Sequence, residues 1–189
     1  MPYLLLKDLP RYECLLEAAR EFPDLDPSAA EAFLQLLRAS DEAYGLNARN
    51  MAAHGISAGR FSVLMLLWRG DRTRCAAGPA AGDCGPRTPA SLADACGVTR
   101  ATMTGLIDTL ERDGFVKREP DPADRRMMTV QLTPKAEEFL RRYLPTHFRI
   151  TSAIMSVLSE TERKTFVRLL VKVQQQAATL AAASRPAPS

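Results

Sequence analysis

The chain has 189 residues, 46% of them apolar, which is enough to bury the core of one compact domain with an elaborated edge. Its 25 Lys and Arg against 22 Asp and Glu make it mildly basic, which permits nucleic acid as a partner without indicating a non-specific DNA packager. No apolar run approaches the roughly 20 residues that span a bilayer, and residues 1–6 lack the features of a secretory signal. We therefore expect a cytoplasmic protein whose four cysteines are reduced.

Apolar residues at helical spacing and capping residues predict three helices before residue 70. They cover residues 10–22, the segment from the cap Asp26 towards His54, and the segment from Ser57 to Trp68. Residues 70–87 then collect four glycines, two prolines and two cysteines without periodicity, which predicts an exposed loop.

Two short helices separated by a tight turn are predicted next. Thr88 and Pro89 form a cap and first turn, and Gly97 ends the first helix after about two turns. Thr99 opens the second helix, which stops at Gly114. Its inner face carries apolar residues at i, i+3, i+4 and i+7, namely Met103, Leu106, Ile107 and Leu110. This is the helix-turn-helix pattern.

Residues 115–119 and 127–132 are predicted strands, joined by a polar, proline-bearing hairpin tip that would form a wing. Thr133 and Pro134 open a long helix to about Leu158, with Pro145 inside it as an expected kink. A capping box at 159–162 opens the last helix. The predicted fold class is mainly α with a small β wing, a winged helix-turn-helix flanked by N- and C-terminal helices.

The outer face of the second helix is the candidate DNA-binding surface. A helix enters the major groove only if its outer side chains let the backbone come close, and this face is small or hydroxylated. The predicted DNA contacts are Thr99, Arg100, Ala101, Thr102 and Thr104. Small residues also permit helix packing, and an N-cap role explains Thr99 equally well.

Arginines at the hairpin tip are the second candidate. Arg125 or Arg126 could enter the narrow minor groove, with Asp124 holding the arginine extended, although a solvated turn explains the same residues. Charges between 99 and 126 balance at six of each sign, so affinity must come from placing the basic groups on one face.

Residues 88–139 resemble the MarR family of regulators, especially in LADACGVTRATMTGLIDTLERDG and in DPADRR followed by LTPKA. The resemblance implies that helix 99–114 contacts the major groove while Arg126, with Arg125 as second candidate, enters the minor groove beside Asp124. It also implies a homodimer on a pseudo-palindrome whose half-sites lie about one helical turn apart. Two features depart from the family pattern, the long loop 70–87 and the added leading helix.

On this resemblance the chain divides into five segments. They are an extra N-terminal helix (1–25), a dimerisation helix (26–56), the winged helix-turn-helix region (57–133, with 70–87 as an inserted loop), C-terminal dimerisation helices (134–183) and a disordered tail (184–189).

Small aromatic or anionic effectors are common in the family, which implies a ligand cleft. Here the cleft would lie near Tyr44, His54, Phe61, Met65 and Trp68, although aromatic residues and Met at helical spacing more often pack in a core. The expected function is a ligand-responsive repressor without cofactor or metal.

Two other functions remain open. Cys75 and Cys84 in the predicted loop could sense oxidants, and a winged helix could bind protein instead of DNA. An enzyme is disfavoured, because His54 and His147 have no cysteine or acidic cluster beside them and no phosphate-binding glycine loop is present.

Overall fold

The computed structural model describes residues 8–77, 88–121 and 126–184, with the backbone alone for residues 70–77. The described elements, in chain order, are α1 (Tyr12–Glu21), α2 (Pro27–Ala53), α3 (Ala58–Ala77), α4 (Pro89–Cys96), α5 (Arg100–Arg112), β1 (Val116–Pro120), β2 (Met128–Leu132), α6 (Pro134–Met155) and α7 (Glu160–Ala183). The backbone forms two compact units, and the boundary between them falls after His147, within α6.

Helices α1 and α2 begin and end close to the predicted positions. The Asp26 carboxylate accepts hydrogen bonds from the backbone N–H groups of Ser28 and Ala29, at 2.9 and 3.1 Å, so it is the N-cap of α2. These bonds, together with one from the Ser28 hydroxyl, lower the pKa of Asp26. Helix α1 packs against α2, with Leu15 as its buried residue.

The prediction of a loop over 70–87 is wrong for its first part, because α3 continues to Ala77. Arg and Ala are frequent in residues 71–77 and are strong helix formers, whereas the single Gly70 costs only about 1 kcal/mol relative to Ala. The first proline of residues 70–87 is Pro79. Residues 78–87 lie outside the described part of the chain.

Helices α4 and α5 form the predicted helix-turn-helix. Thr88 makes a capping box with Ser91, at 3.1 Å from the Ser91 N–H to the Thr88 hydroxyl and 3.0 Å in the reverse pairing. Gly97 ends α4 in the left-handed region, at φ +64°. Thr99 caps α5, and Gly114 follows α5 at φ +73°.

Strands β1 and β2 form the predicted antiparallel hairpin, registered from Val116 opposite Leu132 to Pro120 opposite Met128. Each strand begins one residue later than predicted. Phe115 is excluded from β1 because its N–H donates to the Leu110 carbonyl at 2.8 Å, a bond that closes the end of α5.

One hydrophobic cluster joins the end of α2, α3, α4, α5, the hairpin and the first half of α6. Its buried members are Met51, Ile56, Phe61, Val63, Leu64, Leu67, Leu92, Ala93, Met103, Ile107, Leu110, Val116, Val130, Leu132, Ala136, Leu140, Tyr143 and Leu144. Helix α5 is therefore fixed to the core along one face. Within the described residues, no helix is long and apolar enough to cross a membrane.

The second unit contains the end of α6 and all of α7. Helix α6 ends at Met155, three residues before the predicted end, and the Arg163 guanidinium donates to the Leu158 carbonyl at 2.5 Å. Pro145 lies inside α6. The capping box of Ser159 with Glu162 starts α7 as predicted, and its hydrogen bonds lower the pKa of Glu162. No residue of α7 is buried in the described chain.

Candidate nucleic-acid interface

Helix α5 has one buried and one exposed face. Met103, Ile107 and Leu110 are fully buried, whereas Leu106 is only half-buried. All the predicted contact residues of this helix are exposed, namely Thr99, Arg100, Ala101, Thr102 and Thr104. The chain thus leaves the small-residue face of α5 accessible to a duplex, as its sequence pattern predicts.

Thr99 and Thr102 at the start of α5 are hydrogen-bonded to each other. The Thr99 hydroxyl accepts from the Thr102 N–H at 3.1 Å and lies 2.9 Å from the Thr102 hydroxyl. The Thr104 hydroxyl donates to the Arg100 carbonyl at 2.9 Å, so its remaining lone pairs and its methyl group are what it offers outward. The N-cap interpretation of Thr99 is confirmed, and it is compatible with a contact to DNA.

Gly105 interrupts the exposed face of α5 without a packing reason. A Cβ atom placed on Gly105 would meet nothing within 4 Å outside its own helical turn. Glycine in a helix interior costs roughly 0.5–1 kcal/mol relative to Ala. Gly105 therefore weakens α5 and is suited to the close approach of another molecule.

The carboxylates near α5 are paired with cations. Asp113 pairs with Arg60 of α3 at 2.5 Å, and Glu119 pairs with Lys117 at 2.5 Å. Residues 99–126 carry six charges of each sign, and Arg60, from outside this segment, neutralises one of the six acids. The Arg60 guanidinium also lies over the Phe115 ring, at 5.8 Å from the ring centroid.

Arg118 neutralises two further carboxylates, Asp108 and Glu111, at 2.5 and 2.6 Å. Its hydrogen bond with Asp108 is the main cause that raises the pKa of the guanidinium above its usual value. Sequence reasoning missed Arg118 as a site residue. The sequence did contain a signal for this ion pairing: Asp108 and Glu111 lie three residues apart on one helix face, and Arg118 follows on the adjoining strand.

The C-terminal end of α5 is anchored to the start of α6. Lys135 donates to the Asp113 carbonyl at 2.7 Å, and its ammonium group lies 5.2 Å from the centroid of the Phe115 ring. The Thr133 hydroxyl donates to the Gly114 carbonyl at 2.7 Å. A cation at this end of a helix interacts favourably with the helix dipole.

The predicted wing contacts are only partly described. Arg126 is exposed at the foot of the hairpin tip. Asp124 and Arg125 lie outside the described residues, and their roles stay predictions.

The five residues predicted to line a ligand cleft do not all come together. His54 and Phe61 lie edge-on to the Tyr143 ring, at 5.0 and 5.3 Å between centroids. Tyr44 is exposed on α2, ten residues before His54. Trp68 packs against the core. Met65 belongs to a separate open groove lined by Ser62, Met65, Leu66, Arg69, Ala95 and Cys96.

Tyr143 and His147 extend the His54–Phe61 cluster and were not predicted to belong to it. The Asn50 amide donates to the Tyr143 hydroxyl at 3.0 Å, and the His147 ring lies 5.0 Å from that of Phe61. Burial raises the pKa of Tyr143, against the opposing effect of the Asn50 bond, and burial lowers the pKa of His147. Their positions 93 residues and more along the chain from Asn50 hid them from local sequence patterns.

The cysteines proposed as oxidant sensors are not described at side-chain level. Cys75 lies in the backbone-only part of α3, and Cys84 lies outside the described residues. Cys96 is half-buried, and burial raises the pKa of its thiol, which disfavours a reactive thiolate.

A helix pair with an exposed small-residue second helix, followed by a two-stranded hairpin, defines a winged helix-turn-helix protein. Residues 81–128 match the family model described as MarR family. The chain is 35% identical over 165 residues to the transcriptional repressor YetL of Bacillus subtilis, covering 87% of this chain and 92% of that protein. It therefore belongs to the MarR family and is a DNA-binding transcriptional regulator, as its sequence predicts.

Other similarities agree with this assignment. The chain is 39% identical over 75 residues to the transcriptional repressor MprA of Escherichia coli, covering 40% of this chain and 43% of that protein. Among solved structures, BpsR of Bordetella bronchiseptica matches with a TM-score of 0.58 at 25% identity, over 75% of this chain and 91% of that one. AbsC of Streptomyces coelicolor matches the fold with a TM-score of 0.68 at 18% identity, over 82% and 97% of the two chains.

Proposed function

We propose that this regulator is a ligand-responsive repressor that binds a pseudo-palindromic operator as a homodimer in the cytoplasm. The observation that carries the proposal is the accessible face of α5, where Arg100, Ala101, Thr102 and Thr104 are exposed while the opposite face is buried. The names of YetL and MprA as repressors favour repression over activation.

In this proposal the first turns of α5 lie in the major groove. Ala101 and the threonine methyl groups contact thymine methyls and base edges, whereas Arg100 and the N-terminus of α5 contact phosphates. Arg126 enters the adjacent minor groove, assisted by Asp124 and with Arg125 as the second candidate.

Exposed apolar side chains support the homodimer. Large apolar residues are exposed on α2 and along one side of α7, namely Phe33, Tyr44, Leu46, Phe166, Leu169, Val173 and Leu180. Exposed large apolar residues in such number on a helix are typical of an interaction surface. A two-fold pair places two copies of α5 about one helical turn of DNA apart, roughly 34 Å.

The effector site that we propose is the cluster around Tyr143, in place of the full set predicted from sequence. His54, Phe61 and Asn50 surround a buried phenol here, a mixture of aromatic surface and polar groups that suits a small aromatic or anionic molecule. The solved structure of BpsR concerns regulation of its DNA binding by 6-hydroxynicotinic acid, which supports an effector of this class.

The test is a titration of the full-length protein against a duplex that it selects from a random-sequence library, with affinity measured by fluorescence anisotropy. Arg126→Ala should weaken binding by about 1–3 kcal/mol, whereas Arg20→Ala, which removes the same charge from α1, should leave it unchanged. Equal affinities for Arg126→Ala and the parent protein would contradict the wing contact.

Two further arms of the same titration separate the remaining possibilities. Release of the duplex by small aromatic acids supports ligand response, whereas release by peroxide alone supports a thiol sensor using Cys75 and Cys84. An affinity that does not change with salt would argue against phosphate contacts and favour a protein-binding module.

A further inference from the structure

Arg118 joins the wing to α5 through three hydrogen bonds. Its backbone N–H donates to Glu111 Oε1 at 3.0 Å, and its guanidinium donates to Glu111 Oε2 at 2.6 Å and to Asp108 Oδ1 at 2.5 Å. Both carboxylates belong to α5, whereas Arg118 lies in β1. The strand and the helix are therefore tied by charge-assisted bonds, which are stronger than neutral ones.

The arrangement restricts the strand in more than one direction. Glu111 holds the backbone of Arg118 with one oxygen and its side chain with the other, so the strand cannot slide along α5 without breaking a bond. Asp108, three residues earlier on the same helix face, holds the other arm of the guanidinium. With a side chain only 25% exposed, Arg118 is shielded from water more than the neighbouring acids are.

The neighbouring cation makes a different pairing. Lys117 bonds to Glu119 of its own strand, at 2.5 Å, and this pair does not connect the wing to α5. Its side chain is also 51% exposed. Lys117 is thus a control for loss of one positive charge from β1.

The bonds at Arg118 lie near the end of the hairpin ladder. Arg118 pairs with Val130, and the ladder ends two pairs later at Pro120 and Met128. Arg126 lies two residues before Met128, at the foot of the tip. Because an isolated two-stranded hairpin is marginally stable, its direction relative to α5 depends on outside contacts, here the core packing of Val116, Val130 and Leu132 and the bonds at Arg118.

We propose that Arg118 is a positioning residue for DNA binding, which holds the wing at a fixed angle to α5 so that α5 and Arg126 engage one duplex together. The proposal rests on the proposed contact between Arg126 and DNA. Its physical basis is preorganisation, because a wing that is already aligned loses less conformational freedom on binding. The contribution of Arg126 to affinity should therefore depend on Arg118.

A double-mutant cycle tests this dependence on the full-length protein, with the duplex selected by the parent protein as probe. Arg126→Ala should lower affinity about tenfold in the parent protein but no more than about twofold in an Arg118→Met background. In a Lys117→Met background the loss from Arg126→Ala should stay about tenfold. Circular dichroism melts must show that each variant is folded at the temperature of the titration.

The outcomes separate the two proposals. If Arg126→Ala costs as much affinity in the Arg118→Met background as in the parent protein, the positioning role is overturned while the wing contact stands. If Arg126→Ala costs nothing in the parent protein, the wing contact is overturned and the positioning role with it.

A triple variant distinguishes positioning from simple neutralisation of the two acids. Asp108→Asn, Glu111→Gln and Arg118→Met together remove the bonds between β1 and α5 without leaving bare carboxylates beside the DNA. The small cost of Arg126→Ala should persist in this background. A return of the full tenfold cost would overturn the proposal, because Arg118 would then act only by masking negative charge.

Discussion

Gly105 is the residue at which the proposed DNA binding and the stability of α5 would place opposite demands on the chain. Nothing beyond its own helical turn lies within 4 Å of a Cβ atom at this position, so packing does not require glycine there. A small residue does serve an outside partner, because DNA backbone and base edges must come close to the helix axis. Stability and DNA affinity should therefore respond in opposite directions to a single methyl group.

Gly105→Ala tests this directly. The free energy of unfolding should rise by about 0.5–1 kcal/mol, since Ala is the better helix former and meets no neighbour. Affinity for the selected duplex should fall by about 1 kcal/mol or more, because the methyl group keeps the helix from the groove floor. Chemical denaturation and anisotropy titration measure the two quantities. A variant that gains stability and keeps full affinity would remove Gly105 from the DNA surface.

His147 gives a second prediction at this scale, in the pH dependence of stability. Burial near Phe61 and Tyr143 lowers its pKa below the usual 6.5, so the folded state favours the neutral ring. As the pH decreases below 6.5, His147 binds a proton in the unfolded chain before it does so in the folded chain. The free energy of unfolding should therefore fall with decreasing pH until His147 is protonated in the folded chain as well. Well above pH 6.5 the His147 ring is neutral in both the folded and the unfolded chain, so it should contribute no pH dependence there.

Denaturant midpoints measured between about pH 7.5 and 5 with and without His147→Phe check the assignment. The variant should lose most of the slope in this range. Asp26 and Glu162 do not interfere in this range, because their lowered pKa values reduce the free energy of unfolding only as the pH falls below their ordinary pKa values of 3.8 and 4.5. An unchanged slope in His147→Phe would assign the pH dependence to other groups.

At the element scale, the caps explain why most helix boundaries could be predicted. Asp26, Thr88, Thr99 and Ser159 each bind the backbone of the following turn, and these short-range bonds are visible as residue types in sequence. The end of α3 carries no such signal, because the helix formers around Gly70 lack apolar periodicity. The Tyr143 cluster joins elements far apart along the chain, so local patterns did not reveal it. The bonds of Arg118 join neighbouring elements, and their signal was the acidic pair Asp108 and Glu111.

Thr99 is the cap whose two interpretations can be separated by substitution. Thr99→Val keeps the shape but removes the hydroxyl that accepts from Thr102, and should lower the free energy of unfolding by about 1 kcal/mol. Thr99→Ser keeps the cap and removes the methyl group. If the Thr99 methyl group also contacts DNA, Thr99→Ser should retain stability and lose affinity. Parent-like affinity in Thr99→Ser, measured by anisotropy, would exclude a contact between the Thr99 methyl group and DNA.

For the whole molecule, α7 poses the question of what covers its apolar residues. Phe166, Leu169 and Val173 recur at helical spacing on one side of the helix, and all three are exposed in the single chain. A second copy of the chain would bury them, and two correctly spaced copies of α5 require such a pairing. Dimerisation and DNA affinity should therefore be lost together.

Val173→Glu should convert the proposed homodimer to a monomer, since a carboxylate would have to be buried without a partner at the interface. The monomer should keep a folded winged-helix core, because that cluster contains no residue of α7, and its affinity for a two-half-site duplex should fall by orders of magnitude. Gln175→Glu adds the same charge on the opposite side of α7 and should leave a dimer with full affinity. Light scattering and anisotropy on the same samples decide the matter: a Val173→Glu protein that is still dimeric would exclude this face of α7 from the interface.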